Sequence, residues 1–201
     1  MSQTKTQLVA SPLNLNGADL TFPSTQGSAG QYLRNTGTAG TLEFGTFPGS
    51  FTSYAIICDE KGSDVDGGTF TSGAWRTRDL NTEIADPDSI VSISSNQFTL
   101  GAGNYLIEAS APAYRTNRHI LRLQNITSST TVQIGSAEYT NDSDAIVTRS
   151  VLAARVSLTG STTLEIQHRA ETTSSTFGFG VDSSFTGVGS IYTIVKIFKE
   201  A

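Results

Sequence analysis

From about Tyr54 onward the chain breaks into short runs rich in Val, Ile, Thr and aromatic residues, separated by Gly, Asn, Asp, Ser and Pro. The runs "YAIICDE", "GTFTSGAWRTRDL", "SIVSISSNQFTL", "GNYLIEASAPAYR", "RHILRLQNI", "TTVQIGSAEYT", "IVTRSVLAARVSL", "TTLEIQHRAET" and "SIYTIVKIFKEA" have strand length and strand composition. Several alternate: Leu164, Ile166 and His168 fall on one side, and Glu165, Gln167 and Arg169 on the other. The run "SVLAARVSL" has a helical composition, but "LTGS" ends it abruptly, and we expect it to form a hairpin with the next run, turning at Thr159-Gly160-Ser161. This spacing, with no βαβ alternation and no fixed-period repeat, predicts an all-β sandwich or barrel.

The last run is apolar on both sides. "IYTIVKIF" sends Ile191, Val195 and Ile197 one way and Tyr192, Ile194 and Phe198 the other. A strand apolar on both faces needs cover on both, so the second face is expected to meet another subunit. The first 53 residues differ. Apolar residues come singly or in pairs (Leu13, Leu15, Leu20, Phe22, Leu33, Leu42, Phe44) among glycines, too sparse to offset the ordering entropy of the segment. We therefore divide the chain into an extended arm, 1–53, and a β domain, 54–201. The spaced Leu and Phe residues of the arm are expected to order against another copy or another protein.

Composition narrows the function classes. With 13 basic and 18 acidic residues the net charge is −5, which argues against nucleic acid as a partner. The apolar runs are too short for membrane insertion. The opening "MSQTKTQLVASPLNLNG" has no basic stretch followed by an apolar one, so no secretory signal is expected. The single Cys58 cannot make an internal disulfide and, in an apolar run, reads as packing.

Basic residues concentrate in "YRTNRHILRL", which holds Arg115, Arg118, His119 and Arg122. A period of two puts Arg118, Ile120 and Arg122 outside and His119, Leu121 and Leu123 inside. The bland reading is a solvated face, with Glu108, Glu138 or Glu165 as cross-strand partners. The alternative is a polyanion or glycan site, because guanidinium groups suit carboxylates and phosphates. His119 and His168 each lie on an apolar face, where they would meet around a symmetry axis or join one buried polar network. No nucleophile pattern accompanies either.

Other motifs carry little chemistry. "GSDVDGG" has Asp64 and Asp66, but counting from Asp64 puts Thr69 where a calcium loop needs glycine and Trp75 where it needs a bidentate Glu. The glycine-rich "GAGNY" and "FGFGVDSSFTGVG" lack the strand-to-helix setting of a phosphate cradle. "NIT" at Asn125 and "NDS" at Asn141 match a glycosylation pattern that matters only in a secreted eukaryotic protein. A glycan-cleaving enzyme would need carboxylates about 5–10 Å apart. Asp64, Asp66, Asp86, Asp88, Asp142 and Asp144 fall in loops and read as solvated turns. We expect no catalytic residue, no metal site and no cofactor.

Two stretches carry a resemblance. "GADLTFPSTQGSAGQYLRNTGTAGTLEF" resembles a connecting segment of phage tail-fibre and other virion proteins, through Phe22, Pro23, Gly27, Gly30, Gln31, Leu33, Gly37, Leu42 and Phe44, the last where Trp is commoner. "GNYLIEASAPAYRTNRHILRLQNITSSTTVQIGSAEY", "TRSVLAARVSLTGSTTLEIQHRAETTSSTFGFGVDSSF" and "IYTIVKIFKE" resemble a domain of phage fibre and appendage proteins. We identify that domain with the antiparallel jelly-roll sandwich of tumour necrosis factor and the complement head.

The resemblance implies a homotrimer on the virion, made in the host cytoplasm, with an arm that binds other virion proteins. It implies attachment to the host surface, with a surface glycan as one candidate receptor. The alternative is a capsid decoration (cement) protein that stabilises the head through the arm. Candidate receptor contacts are the loop residues Ser128, Ser129, Tyr139, Asn141, Thr173 and Ser174. Candidate trimer-interface residues are His119, His168, Tyr192, Ile194 and Phe198. Candidate virion anchors are Leu13, Leu15, Leu20, Phe22 and Leu33.

Overall fold

The computed structural model describes residues 13–15, 18–47 and 50–201. By contacts the chain divides into two compact units, Met1–Ser50 with Ala201, and Phe51–Glu200. In the first unit, β1 (Leu13–Leu15) pairs with β2 (Ala18–Leu20), and β3 (Tyr32–Asn35) pairs with β4 (Leu42–Gly45). A parallel bridge joins Thr21 to Thr41. Sparse apolar residues give small contacts here: Tyr32 stacks on Phe47 with centroids 4.3 Å apart. A Cβ on Gly27 would stand 2.6 Å from the Phe44 ring, so glycine is required there. That close approach links two residues of the connecting motif. Phe22 and Leu33 are exposed and Leu20 is half-buried, while the side chains of Leu13 and Leu15 lie outside the described residues.

The second unit is an all-β antiparallel jelly-roll sandwich. Its strands are β5 (Phe51–Lys61), β6 (Arg76–Thr77), β7 (Thr82–Ala85), β8 (Val91–Ser94), β9 (Gln97–Leu100), β10 (Gly103–Tyr114), β11 (Asn117–Asn125), β12 (Thr130–Thr140), β13 (Val147–Leu158), β14 (Thr162–Ala170) and β15 (Ser190–Glu200). One sheet has the order β13-β10-β15-β5-β7. The other has the order β12-β11-β14-β9-β8, with β6 pairing on β14. Period-two alternation buries Ala55, Ile57, Tyr105, Ile107, Leu152, Ala154, Val195 and Ile197 from the first sheet. Phe98, Leu100, Leu121, Leu123, Leu164 and Ile166 meet them from the second.

The structure corrects four local expectations. β13 and β14 are not a hairpin: Thr159–Ser161 carries the chain from one sheet to the other, and each strand buries its apolar side into the shared core. "SIVSISSNQFTL" is itself the hairpin β8–β9, because Ser95 and Asn96 both take positive φ (52° and 64°), as a two-residue primed turn requires. Of "GTFTSGAWRTRDL" only Arg76–Thr77 is a strand, with an isolated bridge from Phe70 to Ser174. In β15 a register shift between Ile191 and Ile194 breaks the alternation, so Ile191 is 47% exposed while Val195 and Ile197 are fully buried.

A second register shift closes a corner of the sandwich. Between Ile120 and Arg122 the β11–β12 ladder slips. The Leu121 N–H donates to Ser150 Oγ of the opposite sheet (3.0 Å), and that hydroxyl donates to the Ser136 carbonyl (2.6 Å). A buried serine thus serves both sheets at the irregularity, as a buried polar group must be paired.

Candidate functional site

The two outer faces of the sandwich differ chemically. On the five-stranded sheet, register places Tyr54, Phe198, Leu106 and Arg155 in one row, Ile56, Lys196, Glu108 and Ala153 in the next, and Cys58, Ile194, Ser110 and Val151 in a third. Tyr54 and Val151 are about half exposed, at 45% and 50%. The charges in this field are paired: Lys196 Nζ lies 3.9 Å from Glu108 Oε2, and Arg155 holds Glu200 in a bidentate contact at 2.8 and 2.6 Å. On either side of the Lys196–Glu108 row, Tyr54 and Val151 are exposed and Ile56, Leu106, Ile194 and Phe198 are half-buried, which leaves apolar area on this outer face. Cys58 is fully buried; burial and then the Glu60 and Asp59 charges push its thiol up to about 11, so it is inert packing.

The six-stranded sheet turns polar groups outward. Arg118, Ile120 and Arg122 face out and His119, Leu121 and Leu123 face in, as period two predicts. The partners differ from those expected, for none of Glu108, Glu138 and Glu165 pairs with these arginines. Arg118 pairs with Glu171 at 3.0 Å. Arg122 donates to Gln167 Oε1 (2.7 Å) and Thr131 Oγ1 (2.9 Å) and lies over the Trp75 ring at 4.3 Å. Arg115 turns away into the loop after β12, donating to the Asp144 carbonyl at 3.3 Å. Beside these a groove of about 800 Å³ crosses β11, β12 and β14, with Ile120 and Ala137 in its lining, Tyr139 and Arg118 across from Arg169, and Gly73 contributed by a loop.

Between the sheets lies a buried polar group that sequence reading half anticipated. A 2.9 Å hydrogen bond joins His119 Nδ1 to His168 Nε2, and His119 Nε2 lies 2.8 Å from Thr148 Oγ1. His119 and His168 are 2% and 0% exposed, so they form one polar network within the subunit and do not present a surface to a partner. Burial, then the nearby Arg78 charge, lowers the His119 imidazole to about 4; burial likewise takes His168 well below its usual value. Arg78 is itself fully buried. It donates to Thr193 Oγ1 (2.8 Å), the Pro112 carbonyl (3.3 Å) and the Phe179 carbonyl (2.8 Å), and its guanidinium lies 4.0 Å from the Phe179 ring centroid. Burial pulls Arg78 down to about 9, against the pull of Asp59 and Asp79. Nothing in "WRTRDL" separates this arginine from a solvated one; only the loop packing over Phe70 and Phe179 encloses it.

The expected receptor residues do not form one site. Tyr139 is 55% exposed and lines the groove. Asn141 and Thr173 lie near that same end of β12 and β14, where Asn117 Nδ2 donates to Thr172 Oγ1 and Asp142 Oδ2. Ser128 and Ser129 sit at the opposite end of the β11–β12 hairpin, about 26 Å away at strand rise. Ser174 is not a loop tip at all: it is 8% exposed and bridges to Phe70. Of the trimer candidates, Ile194 and Phe198 lie on the outer apolar face. Tyr192 is 3% exposed, packs against Gly180 and donates to the Val65 carbonyl at 2.7 Å. The register shift in β15 is what turns it inward.

The loop aspartates have structural duties. Asp86 accepts from the Ile90 and Val91 N–H groups, Asp88 from Ser53 Oγ, and Asp66 from the Asp182 N–H.

No protein-family model matches the chain, and no curated protein matches it. Solved structures do. The Eiger TNF of S. frugiperda aligns at 13% identity over 76% of this chain and 94% of its own, with a TM-score of 0.51. The globular domain of zebrafish complement 1qA aligns at 13% identity over 74% and 97%, with a TM-score of 0.49. Murine APRIL aligns at 9% identity over 73% and 98%, with a TM-score of 0.46. The fold is the one shared with Eiger TNF. At this identity the likeness says nothing about what the chain binds.

Proposed function

We propose that this chain is a non-enzymatic, homotrimeric virion appendage that attaches a particle to its host. The apolar outer face of the five-stranded sheet carries the reading, since Tyr54, Ile56, Leu106, Val151, Ile194 and Phe198 need cover that their own subunit does not supply. Three such faces packed about an axis supply it. The arm, with the connecting motif built on Gly27 and Phe44, binds other virion proteins. Three identical weak sites per head and many heads per particle then multiply a modest single-site affinity.

Sedimentation of the full chain at micromolar concentration should give three times the 21.3 kDa subunit mass; a monomer would overturn the trimer. Gold-labelled antibody against Phe51–Glu200 on intact particles should mark the tail end. Gold spread evenly over the head would replace attachment with capsid decoration, and unlabelled particles would remove the virion role.

A further inference from the structure

We propose that the groove across β11, β12 and β14 binds one acidic sugar residue, its carboxylate held by Arg169 and its ring face laid on Tyr139. The inference rests on the attachment reading and gives it a ligand class. Three observations carry it. First, the groove of about 800 Å³ lies within the range of about 300–1,000 Å³ that small-molecule sites occupy.

Second, its charges are unequally engaged. Within the lining Arg118 is already paired with Glu171 and Glu138 accepts from the Ser136 hydroxyl at 3.0 Å, whereas Arg122 lies outside the lining and Arg115 is turned into a loop. Arg169 is exposed on the outer side of β14, and its side chain makes neither a hydrogen bond nor an ion pair among the described residues. An unpartnered guanidinium on a concave surface of an acidic chain is complementary to a carboxylate, which it can hold through two parallel N–H donors.

Third, the remaining lining suits a pyranose better than a peptide or a bare anion. Tyr139 presents a half-exposed ring beside the small apolar floor of Ile120 and Ala137, which fits the C–H face of a sugar. Glu171 keeps acceptor capacity beyond its contact with Arg118 and can take ring hydroxyl protons. A bare anion would leave Tyr139 and the floor unused.

Ligand-observed NMR titration of the full chain with sodium glucuronate, with glucose as the neutral ring and with sodium phosphate as the ringless anion, tests this. Glucuronate should bind about tenfold or more tighter than glucose, and phosphate should not displace it. Arg169→Gln should reduce glucuronate to the level of glucose while leaving glucose unchanged, and Tyr139→Ala should weaken both sugars. Both side chains are exposed, so each variant should keep the wild-type melting curve. Absence of glucuronate binding, equal displacement by phosphate, or indifference to both variants overturns the site. Tighter, Arg169-dependent binding of N-acetylglutamate amide would replace the sugar with an acidic peptide and also overturn it.

Adsorption of particles to host cells separates this failure from that of the attachment reading. If antibody against Phe51–Glu200 blocks adsorption while glucuronate does not bind, attachment stands and the groove assignment falls. If the antibody leaves adsorption intact, the attachment reading falls, and the titration alone judges the groove.

Discussion

The two outer faces of the sandwich come from the same strand chemistry and end differently. On the five-stranded sheet, outward positions hold Tyr54, Ile56, Leu106, Ile194 and Phe198, and the charges among them pair as Lys196 with Glu108 and Arg155 with Glu200. On the six-stranded sheet, outward positions hold Arg118, Arg122, Gln167 and Thr131, which bond among themselves and to water-facing neighbours. One surface is finished as a solvated face. The other gains from removing apolar area from water, at about 25 cal/mol per Å². The contrast is what supports the proposed assembly through the first face and the proposed ligand groove on the second.

The sharpest way to break this contrast is a charge on the apolar face. Val151→Asp, at a half-exposed position, should leave the subunit folded yet weaken trimer association by more than about a hundredfold, because assembly would bury three unpaired carboxylates. Sedimentation at several concentrations reads this, and an unshifted trimer would mean the apolar face is not the interface.

The interior between the faces gives the next largest effect, through pH. His119 and His168 have folded values below their unfolded value of about 6.5, so the unfolded chain takes up protons first as pH falls. Their stabilising contribution is complete above pH 6.5 and is lost progressively as pH drops toward 4. Between pH 6.5 and 5, His119 alone should remove roughly 1–2 kcal/mol, with His168 acting in the same direction. Urea unfolding across that window should show the slope, and a double replacement by Gln should flatten it.

The polar face should yield smaller numbers. Arg122→Ala loses two side-chain hydrogen bonds and the Trp75 contact, and we expect about 1 kcal/mol of stability to go while the oligomeric state holds. The smallest change belongs to Arg118→Ala: the exposed pair with Glu171 should contribute no more than about 0.5 kcal/mol in a melting experiment. A large loss at Arg118 would show this face to be structural and not merely solvated.

Much of this was legible in the sequence. The strand runs, the inward set Leu121, Leu123, Leu164 and Ile166, and the outward set Arg118, Ile120 and Arg122 all follow from period two. Errors gathered where the period slips. Tyr192 and Ile191 exchange sides at the β15 register shift, and Ser95-Asn96 turns what reads as one strand into two. The candidate groove was hidden for another reason: Tyr139 and Arg169 are thirty residues apart, and only the pairing of β11 with both β12 and β14 brings them to one surface.

The sequence by itself determined the all-β class, which side of most strands is buried, and the presence of a surplus apolar face, because these depend on local alternation and composition. Only the tertiary structure decided that β13 and β14 belong to opposite sheets, that Arg78 and the hydrogen-bonded histidine pair are both enclosed, and that, among the described residues, the Arg169 side chain stands unpaired beside an exposed tyrosine. Those outcomes depend on register and on which loops cover which strand ends, and no period along a single strand encodes its neighbour's register.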